Sequence, residues 1–355
     1  MGKKNVLICG ATGYIGLQLT KLLCTHKKIS IKYLCGSTSV GKKIDFFEQE
    51  LKKYKLPKIS KFKKEYLSNV DIIFTALPNG EAQSISKFLN KNNLLIDLAA
   101  DFRLNNKNDY EKWYKIKHKA LNQIKKSIYS IPEISGQLIK KFSIVSCPGC
   151  YPTSVLIPLI PLIKKNLINN QTIIIDSKSG YSGAGRGVHK KYKDKNLYES
   201  LSAYGLANHR HNSEIQQELD LKTSKKNKFH FTPHLTPMFR GILSTIYVDL
   251  KKGININKII NVLNVQYKNH KFIKICKINT FLSTNDVINT NNCFISVCKS
   301  KFKDKIIILS AIDNLIKAII IIHILYSLTT TTFNQIINCR QYYYFIFIFA
   351  FTYRN

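Results

Sequence analysis

The chain has 355 residues, of which 45% are hydrophobic, so it can build packed cores in about two domains and wholesale disorder is not expected. Its 55 basic and 21 acidic residues give a formal net charge of +34, which taken alone favours a polyanionic partner. Lysine, asparagine and isoleucine are spread along the whole chain, however, and no zinc-finger, helix-turn-helix or RNP pattern accompanies the charge. We therefore attribute the charge to coding bias and expect no nucleic-acid partner.

The N-terminal residues and the cysteines indicate a compartment. An apolar run starts within a few residues of Met1, too early and too short for a signal peptide, and the apolar clusters near the C-terminus are too short for a membrane span. Nine cysteines in such a chain are expected to be mostly reduced. We predict a cytoplasmic protein without a membrane partner.

We expect no metal site, because "CPGC" has no second CxxC and His209 and His211 lack a third ligand.

The first predicted elements are a strand, "NVLICG", a glycine turn and the helical stretch "LQLTKLLCTH". Glycines at the spacing GxxGxxG between a strand and a helix are typical of dinucleotide binding, because they permit a tight turn, the approach of a pyrophosphate and close helix packing. The candidate cofactor-binding residues of this turn are Gly10, Thr12, Gly13, Tyr14, Ile15 and Gly16.

The second predicted strand, "IKYLCG", bears on the choice of dinucleotide. An acidic residue at its end would hold the ribose 2′-hydroxyl of NAD, and none is present. The following residues Ser37, Thr38 and Ser39, with Lys42 and Lys43 a little further on, suit a 2′-phosphate instead. We therefore predict NADP as the cofactor, with Ser37 and Ser39 among its contacts.

The remaining pattern predicts an α/β fold of two parts. Up to residue 150, the strands "VDIIFTALP" and "NNLLIDLAADF" alternate with a helix, "EAQSISKFLNK", which indicates a Rossmann-type doubly wound domain over residues 1–150. From 151 to 313, extended segments such as "QTIIIDSKSG", "KFHFTPHL" and "GILSTIYVDL" and the helical "INKIINVLNVQY" predict an α+β domain with a mixed or antiparallel sheet. Residues 314–355 fit neither domain.

The stretch "SCPGCYPT" admits three interpretations: a dithiol redox pair, half of a metal site, or a single nucleophilic cysteine. Thioredoxin-type pairs lie early in their fold, whereas this pair follows a long dinucleotide domain. Cys150 directly precedes the apolar helical run "TSVLIPLIPLI", and a helix N-terminus favours a thiolate. A thiolate beside a nicotinamide points to hydride transfer at an acyl carbon, which also needs a proton donor and oxyanion contacts.

Seven motifs resemble, in order, the N-acetyl-gamma-glutamyl-phosphate reductase family of arginine biosynthesis, a relative of aspartate-semialdehyde dehydrogenase. They are "CGATGYIG", "DLAADFRL", "CPGCYPT", "SKSGYSGAGRG", "AYGLANHRHNSEI", "HLTPMFRGIL" and "SAIDNLIKA", and the resemblance runs from about residue 3 to Ala318. It implies NADPH-dependent reduction of N-acetyl-γ-glutamyl phosphate to the semialdehyde through a cysteine thioester, by a homo-oligomer, a dimer or a tetramer, whose second domain is catalytic and dimerising.

The resemblance also implies residue roles. Cys150 matches the nucleophile, and the general acid/base is a histidine of the HRH motif, for which we prefer His211 over His209. The remaining matches are substrate contacts at Arg103, His209, Arg210 and Arg240 and cofactor contacts at Ser182, Gly183 and Asn314.

Two departures from the family pattern have consequences. Cys147 stands where the family usually has asparagine, so we interpret the "CPGC" stretch as one nucleophile, Cys150, beside a bystander. After Ala318 the family continues with a glycine- and alanine-rich helix that returns to the cofactor domain, whereas this chain has an isoleucine run and an aromatic tail. We interpret the change as a late shift of reading frame, which puts the closing helix and the Asn314 contact in doubt.

Two other functions compete with the reductase. Aspartate-semialdehyde dehydrogenase uses the same chemistry on a shorter acyl phosphate, but the HRH and SGAGR motifs speak against it. A catalytically inactive dinucleotide-binding protein is the alternative from another class. NADPH binding without turnover would favour the inactive dinucleotide-binding protein.

Overall fold

The computed structural model describes residues 2–184 and 199–317. The predicted frame change, the closing helix and the aromatic tail therefore lie outside the described residues. Two seven-stranded sheets organise the described part, and their helices pack between and around them. The mixed α/β fold confirms the predicted fold class.

The first sheet is entirely parallel, with strand order β3-β2-β1-β4-β5-β7-β6. Its strands are β1 Lys4–Cys9, β2 Ile29–Cys35, β3 Ile59–Ser60, β4 Ile72–Thr75, β5 Leu94–Asp97, β6 Ser127–Tyr129 and β7 Ile144–Ser146. The strand order reverses between β1 and β4, and ligands of such sheets bind at the carboxyl ends of the strands beside this reversal. The predicted dinucleotide turn follows β1, at that position.

Apolar runs explain why these segments form a buried parallel sheet. Leu7, Ile8, Ile73 and Ile96 on three adjacent strands have no exposed surface, as expected where both faces of a sheet are covered. The connecting helices are α1 Tyr14–Cys24, α2 Glu81–Ser86, α3 Lys107–Tyr114, α4 Leu121–Ile124 and α5 Pro132–Ser135. Short 3-10 helices span Ile44–Phe46, Gln49–Lys53, Lys64–Asn69 and Gly136–Lys141.

The second sheet is mixed, as predicted, with strand order β12-β13-β14-β11-β8-β10-β9. Its strands are β8 Ile173–Gly180, β9 Ser202–Ala203, β10 Phe229–Thr236, β11 Ile242–Asp249, β12 Ile273–Ile275, β13 Cys293–Lys299 and β14 Lys305–Ile312. The pairs β8–β10 and β12–β13 are parallel and the other pairs are antiparallel. Two 3-10 helices, Tyr181–Ala184 and Thr284–Asp286, lie in its connections.

Three helices pack on this sheet and form the largest core with it: α6 Cys150–Lys164, α7 His211–Thr223 and α8 Ile256–Tyr267. Strand residues alternate between the two faces, so Ile175 and Ile246 are fully buried in that core. Their neighbours Ile174 and Tyr247, which are paired across β8 and β11, remain 48% and 42% exposed. The second sheet thus presents an accessible face that includes apolar side chains.

Helix α6 is buried from Tyr151 to Ile163, although this stretch contains Pro158 and Pro161. Pro161 has no N–H to donate to the carbonyl of Ile157 one turn earlier. The hydroxyl of Tyr267, on α8, donates to that carbonyl at 2.6 Å. A side chain from a neighbouring helix therefore replaces the hydrogen bond that the proline removes.

The division at residue 150 stays a prediction, although the first sheet uses residues 4–146 and the second uses residues 173–312. Within residues 2–184 and 199–317, no helix has the length and apolar character that crossing a bilayer requires.

Candidate active site

The glycine turn between β1 and α1 is held by close backbone contacts. Gly10 has a φ of +82°, and a Cβ there would lie 2.2 Å from the carbonyl oxygen of Ala76. A Cβ on Gly16 would lie 2.1 Å from the carbonyl oxygen of Gly10. Neither position therefore accepts a side chain without movement of the backbone, as the sequence analysis expected of a tight turn packed against its helix.

The N-terminus of α1 is suited to an anionic ligand. Gly13 precedes its first residue, no side chain caps it, and its first turn contains no acidic residue. A helix N-terminus presents backbone N–H groups and a partial positive charge to phosphate. The candidate residues Gly10, Thr12, Gly13, Tyr14, Ile15 and Gly16 thus lie in a tight turn and an uncapped helix start that could hold a pyrophosphate, and their contacts with the cofactor stay predictions.

The loop after β2 contains the predicted 2′-phosphate contacts. Ser37 is exposed and Ser39 is buried, and both lie next to the strand end that receives hydrogen bonds from the glycine turn. Lys42 and Lys43 are exposed, with the Lys42 ammonium 4.4 Å from the centre of the Phe46 ring. Hydroxyl groups and ammonium groups together fit a phosphate monoester better than a free ribose hydroxyl.

A second group of predicted cofactor residues comes together on the second sheet. The Asn314 carboxamide accepts a hydrogen bond from the Gly241 N–H at 2.8 Å and bonds to the Ser182 hydroxyl at 3.1 Å. A Cβ on Gly183 would lie 3.2 Å from the same carboxamide. Asn314 is within the described residues and lies beside the loop that the sequence analysis paired with it.

An aromatic contact joins this group to the glycine turn. The Phe239 ring lies 5.7 Å from the Tyr14 ring at the start of α1 and 5.4 Å from the Tyr181 ring. Two of the three predicted cofactor segments therefore lie on either side of Phe239.

Cys150 is the first residue of α6, at the predicted helix N-terminus, and is partly buried. Burial raises the pKa of its thiol to about 11, while the charge of Arg103 and nearby backbone N–H groups lower it. The backbone N–H groups at the helix N-terminus act in the direction that the sequence predicted, but the loss of solvation has the larger effect on this pKa. At neutral pH the resting group is a thiol, and a base must take its proton.

The second cysteine of the motif has different surroundings. Cys147 is 1% exposed, and burial raises the pKa of its thiol to about 12. Its main chain forms two hydrogen bonds. The N–H donates to the Asp97 carbonyl at 2.8 Å, and the carbonyl accepts from Arg103 Nε at 2.9 Å. These contacts use the backbone of Cys147 and agree with a bystander thiol.

His211, the first residue of α7, lies directly against the nucleophile turn. A Cβ on Gly149, the residue before Cys150, would lie 2.4 Å from His211 Nε2, so only glycine leaves room for the imidazole. His211 is 7% exposed, and within the described part of the chain its buried Nδ1 has no hydrogen-bond partner. Burial, followed by the charges of His209 and Arg103, lowers the pKa of His211 well below its usual value. A neutral imidazole is available as a base.

His209 is half-buried and is placed differently. Its Nδ1 accepts a hydrogen bond from the His211 N–H at 3.2 Å, and its ring lies 5.6 Å from the Tyr151 ring and 4.7 Å from the His211 ring. Burial and the neighbouring Arg210 lower its pKa to about 4. Because one nitrogen is used to hold the start of α7, the geometry favours His211 for proton transfer.

The three candidate substrate arginines are not gathered at one point. Arg103 is buried and donates to Cys147, to the Leu98 carbonyl and to Glu214. Arg210 is exposed between the two histidines. The third, Arg240, lies beside the Asn314 group, where it pairs with Asp313 at 3.4 Å. Only Arg103 and Arg210 are near His211, and the substrate roles of all three stay predictions.

Glu214 is the residue of this site that the sequence analysis did not single out. It is fully buried, and its carboxylate accepts hydrogen bonds from the Gly149 N–H at 2.9 Å and from Arg103 Nη1 at 3.0 Å. It stands three residues after His211 in "HNSEI", hence one helical turn away on the same face. A His-x-x-Glu spacing at the start of a helix was the signal that could have identified it.

Among the described residues, no group of three or more His, Cys, Asp or Glu side chains is arranged to hold a metal ion.

Comparison with known proteins assigns the class of this fold and site. The domain described as "Semialdehyde dehydrogenase, NAD binding domain" matches residues 5–142, and "Semialdehyde dehydrogenase, dimerisation domain" matches residues 150–314. The crystal structure of aspartate semialdehyde dehydrogenase II from Vibrio cholerae, complexed with ASA, has the same fold, with a TM-score of 0.68 at 17% identity over 92% of this chain and 98% of that one.

Closer relatives show the family. The chain is 40% identical over 322 residues to N-acetyl-gamma-glutamyl-phosphate reductase of Desulforamulus reducens, covering 88% of this chain and 91% of that protein. It is 42% identical over 315 residues to the protein of the same name from Vesicomyosocius okutanii, covering 88% and 91%. The chain belongs to the N-acetyl-gamma-glutamyl-phosphate reductase family, which confirms the resemblance found in the sequence.

Proposed function

We propose that this protein catalyses the NADPH-dependent reduction of N-acetyl-γ-glutamyl phosphate to N-acetylglutamate 5-semialdehyde with release of phosphate, the reaction for which its relatives are named. The observation that carries the proposal is the contact of His211 with Gly149, directly before Cys150, in a chain of this family. The imidazole of His211 thus lies against the residue that precedes Cys150, at the start of a buried helix.

The cofactor is NADP. The glycine turn and the N-terminus of α1 would hold its pyrophosphate, the loop with Ser37 and Ser39 its 2′-phosphate, and Ser182, Gly183 and Asn314 its nicotinamide half. When bound, NADPH supplies the hydride that reduces the acyl group.

Cys150 and His211 carry the proton and acyl chemistry. His211 takes the proton of the Cys150 thiol, and the resulting thiolate attacks the acyl carbon so that a carbon–sulfur bond forms and phosphate leaves. His211, now an imidazolium, donates its proton to the oxygen that becomes negative as the acyl group is reduced. Collapse of the hemithioacetal breaks the carbon–sulfur bond, releases the aldehyde and returns the thiol.

Arg210 and Arg240 are the proposed contacts of the substrate carboxylate and phosphate, because a guanidinium group binds either anion through two parallel hydrogen bonds. Arg210 is exposed beside the two histidines, which supports its assignment. Arg103 uses donors on the protein itself, so its contribution to substrate binding would be limited to its charge.

We further propose a homo-oligomer, a dimer or a tetramer, in the cytoplasm. The match to a dimerisation domain and the accessible face that contains Ile174 and Tyr247 support the oligomer. The eight cysteines of the described residues are free, which fits a reducing compartment.

The decisive test is the reverse reaction with two semialdehydes. Purified protein, NADP and phosphate should form NADPH with N-acetylglutamate 5-semialdehyde and far more slowly with aspartate semialdehyde. The opposite preference would identify an aspartate-semialdehyde dehydrogenase. NADPH binding without turnover on either substrate would identify the inactive dinucleotide-binding protein.

A further inference from the structure

Glu214 is surrounded by hydrogen-bond donors. Its carboxylate, which has no exposed surface, accepts from Gly149 N–H at 2.9 Å, Arg103 Nη1 at 3.0 Å, Tyr129 hydroxyl at 3.1 Å and Tyr114 hydroxyl at 3.4 Å. An ionised carboxylate only accepts, so four donors match the anion and leave no acceptor for the proton of a neutral acid. The surroundings therefore hold a buried negative charge.

This charge joins the parts of the active site. Gly149 precedes the nucleophile, Arg103 follows β5, and Tyr129 belongs to β6 of the first sheet, whereas Glu214 lies on α7 of the second. A single side chain thus fixes the helix of His211 against the turn of Cys150.

The same carboxylate is the acidic group paired with His211. Its Oε1 lies 3.7 Å from His211 Nε2, too long for a hydrogen bond but close enough for strong attraction once the imidazole is charged. The other charged or titratable groups around His211 are His209 and Arg210 before α7, Arg103 in the segment after β5, and Cys150 and Tyr151 on α6. The positive charges of His209, Arg103 and Arg210 oppose protonation of His211, and burial opposes it further.

We infer that Glu214 is a positioning residue of the proposed reaction, whose charge stabilises the imidazolium that forms when His211 takes the proton of Cys150. The inference rests on the proposed function for its meaning in turnover, but the proton transfer can be measured without substrate. Without this carboxylate, the charged His211 would be repelled by Arg103 and Arg210 and would have the Cys150 thiolate, but no carboxylate, as a counter-ion.

The experiment measures alkylation of Cys150 by iodoacetamide as a function of pH, in the absence of substrate. The variants are Glu214→Gln, which removes the charge, and Glu214→Asp, which keeps the charge but withdraws it by one methylene. Glu218→Gln is the matched control, because Glu218 is buried one turn further along α7 and its carboxylate bonds to Gln217. NADPH affinity and circular dichroism report whether each variant is folded.

We expect Glu214→Gln to slow alkylation at neutral pH by about tenfold, which corresponds to about one unit in the equilibrium of the thiolate–imidazolium pair. Glu214→Asp should lie between this variant and the wild type, and Glu218→Gln should match the wild type. In a His211→Asn background, Glu214→Gln should slow alkylation less than twofold, because its effect acts through the imidazole.

If Glu214→Gln slowed alkylation tenfold both in the wild-type background and in the His211→Asn background, the inference would be overturned and Glu214 would be a purely structural residue. If Glu214→Gln does not fold, a wild-type alkylation profile in Glu214→Asp would overturn it as well. A protein that oxidises neither semialdehyde with NADP and phosphate, yet shows the expected alkylation pattern, would refute the proposed function and leave this inference intact.

Discussion

Cys147 and Cys150 belong to one turn, but their surroundings give them different chemistry. Cys147 is buried directly after β7 and forms hydrogen bonds through its backbone, whereas Cys150 begins α6 directly after Gly149, the residue against which the His211 imidazole lies. Both thiols have a raised pKa because both are removed from water. At this scale, the feature that distinguishes Cys150, the proposed nucleophile, from Cys147 is the nearby imidazole.

Cys150→Ser should abolish turnover while leaving NADPH affinity unchanged, because a hydroxyl is a far weaker acid than a thiol and forms no comparable nucleophile. Cys147→Ala is the matched control and should retain most of the activity, with a small loss of stability from the vacated volume. Steady-state kinetics and fluorescence titration of NADPH measure both. Equal loss of activity in the two variants, together with a need for reductant, would restore the dithiol interpretation.

His211→Asn should lower kcat by on the order of 100-fold or more, the usual contribution of a positioned proton carrier, and His209→Asn should lower it less. Since burial lowers the pKa of His211 below 6.5, the imidazole stays neutral well into the acidic range. The acidic fall of kcat/KM in the wild type should therefore lie below pH 6.5. A larger loss in His209→Asn would transfer the assignment to His209.

At the scale of elements, α6 and α7 begin with the two proposed reacting residues, Cys150 and His211, and each helix contains a residue that a helix or a core usually excludes. Helix α6 carries Pro158 and Pro161 in its buried interior. Helix α7 buries Glu214 and, one turn later, Glu218. Partners on other elements compensate for the missing N–H of Pro161 and for the charge of Glu214.

Tyr267→Phe should reduce the free energy of unfolding by about 1–3 kcal/mol, because it leaves the carbonyl of Ile157 buried without a donor. In a Pro161→Ala background, which restores the helical N–H, the same substitution should cost much less. Urea unfolding of the four proteins in this double-mutant cycle measures the coupling. Equal costs in both backgrounds would show that Tyr267 contributes through packing alone.

Glu218→Gln should stabilise the protein at alkaline pH. Burial raises the pKa of Glu218 from 4.5 to about 7, so the folded state holds a proton that the unfolded state has lost between these values. The stability that this group contributes is complete below pH 4.5 and is lost as the pH rises through about 7. The melting temperature of Glu218→Gln relative to wild type should therefore be higher at pH 8 than at pH 5. A constant difference across this range would contradict the raised pKa.

For the whole molecule, the two sheets have different exposure. The first is covered on both faces, as its apolar parallel strands require, whereas the second exposes Ile174 and Tyr247 as direct cross-strand neighbours. Neighbouring apolar side chains on an open sheet face are a common feature of subunit interfaces. This face is the surface through which we propose that subunits associate.

Tyr247→Asp should shift the protein towards a single chain of 40.8 kDa, because it places a charge in the middle of an apolar contact. Phe46→Asp, on the first half of the molecule and 70% exposed, is the control and should leave the mass unchanged. Light scattering after size exclusion determines both masses. An unchanged oligomer in Tyr247→Asp would place the interface elsewhere.

The sequence alone determined the features that depend on neighbouring residues. The strand, glycine turn and helix from β1 to α1 and a helix beginning near Cys150 were readable, because spacing and periodicity are local properties. The family was readable from the resemblance of the seven motifs. Only the tertiary structure decided the acidity of Cys150 and the environment of Glu214. Burial raises the pKa of the Cys150 thiol, although the N–H groups of the helix N-terminus lower it. The hydrogen-bond donors to Glu214 lie 65 to 111 residues away in the sequence. Burial and contacts between residues far apart in the sequence exist only in the folded chain, so no short stretch of sequence reveals them.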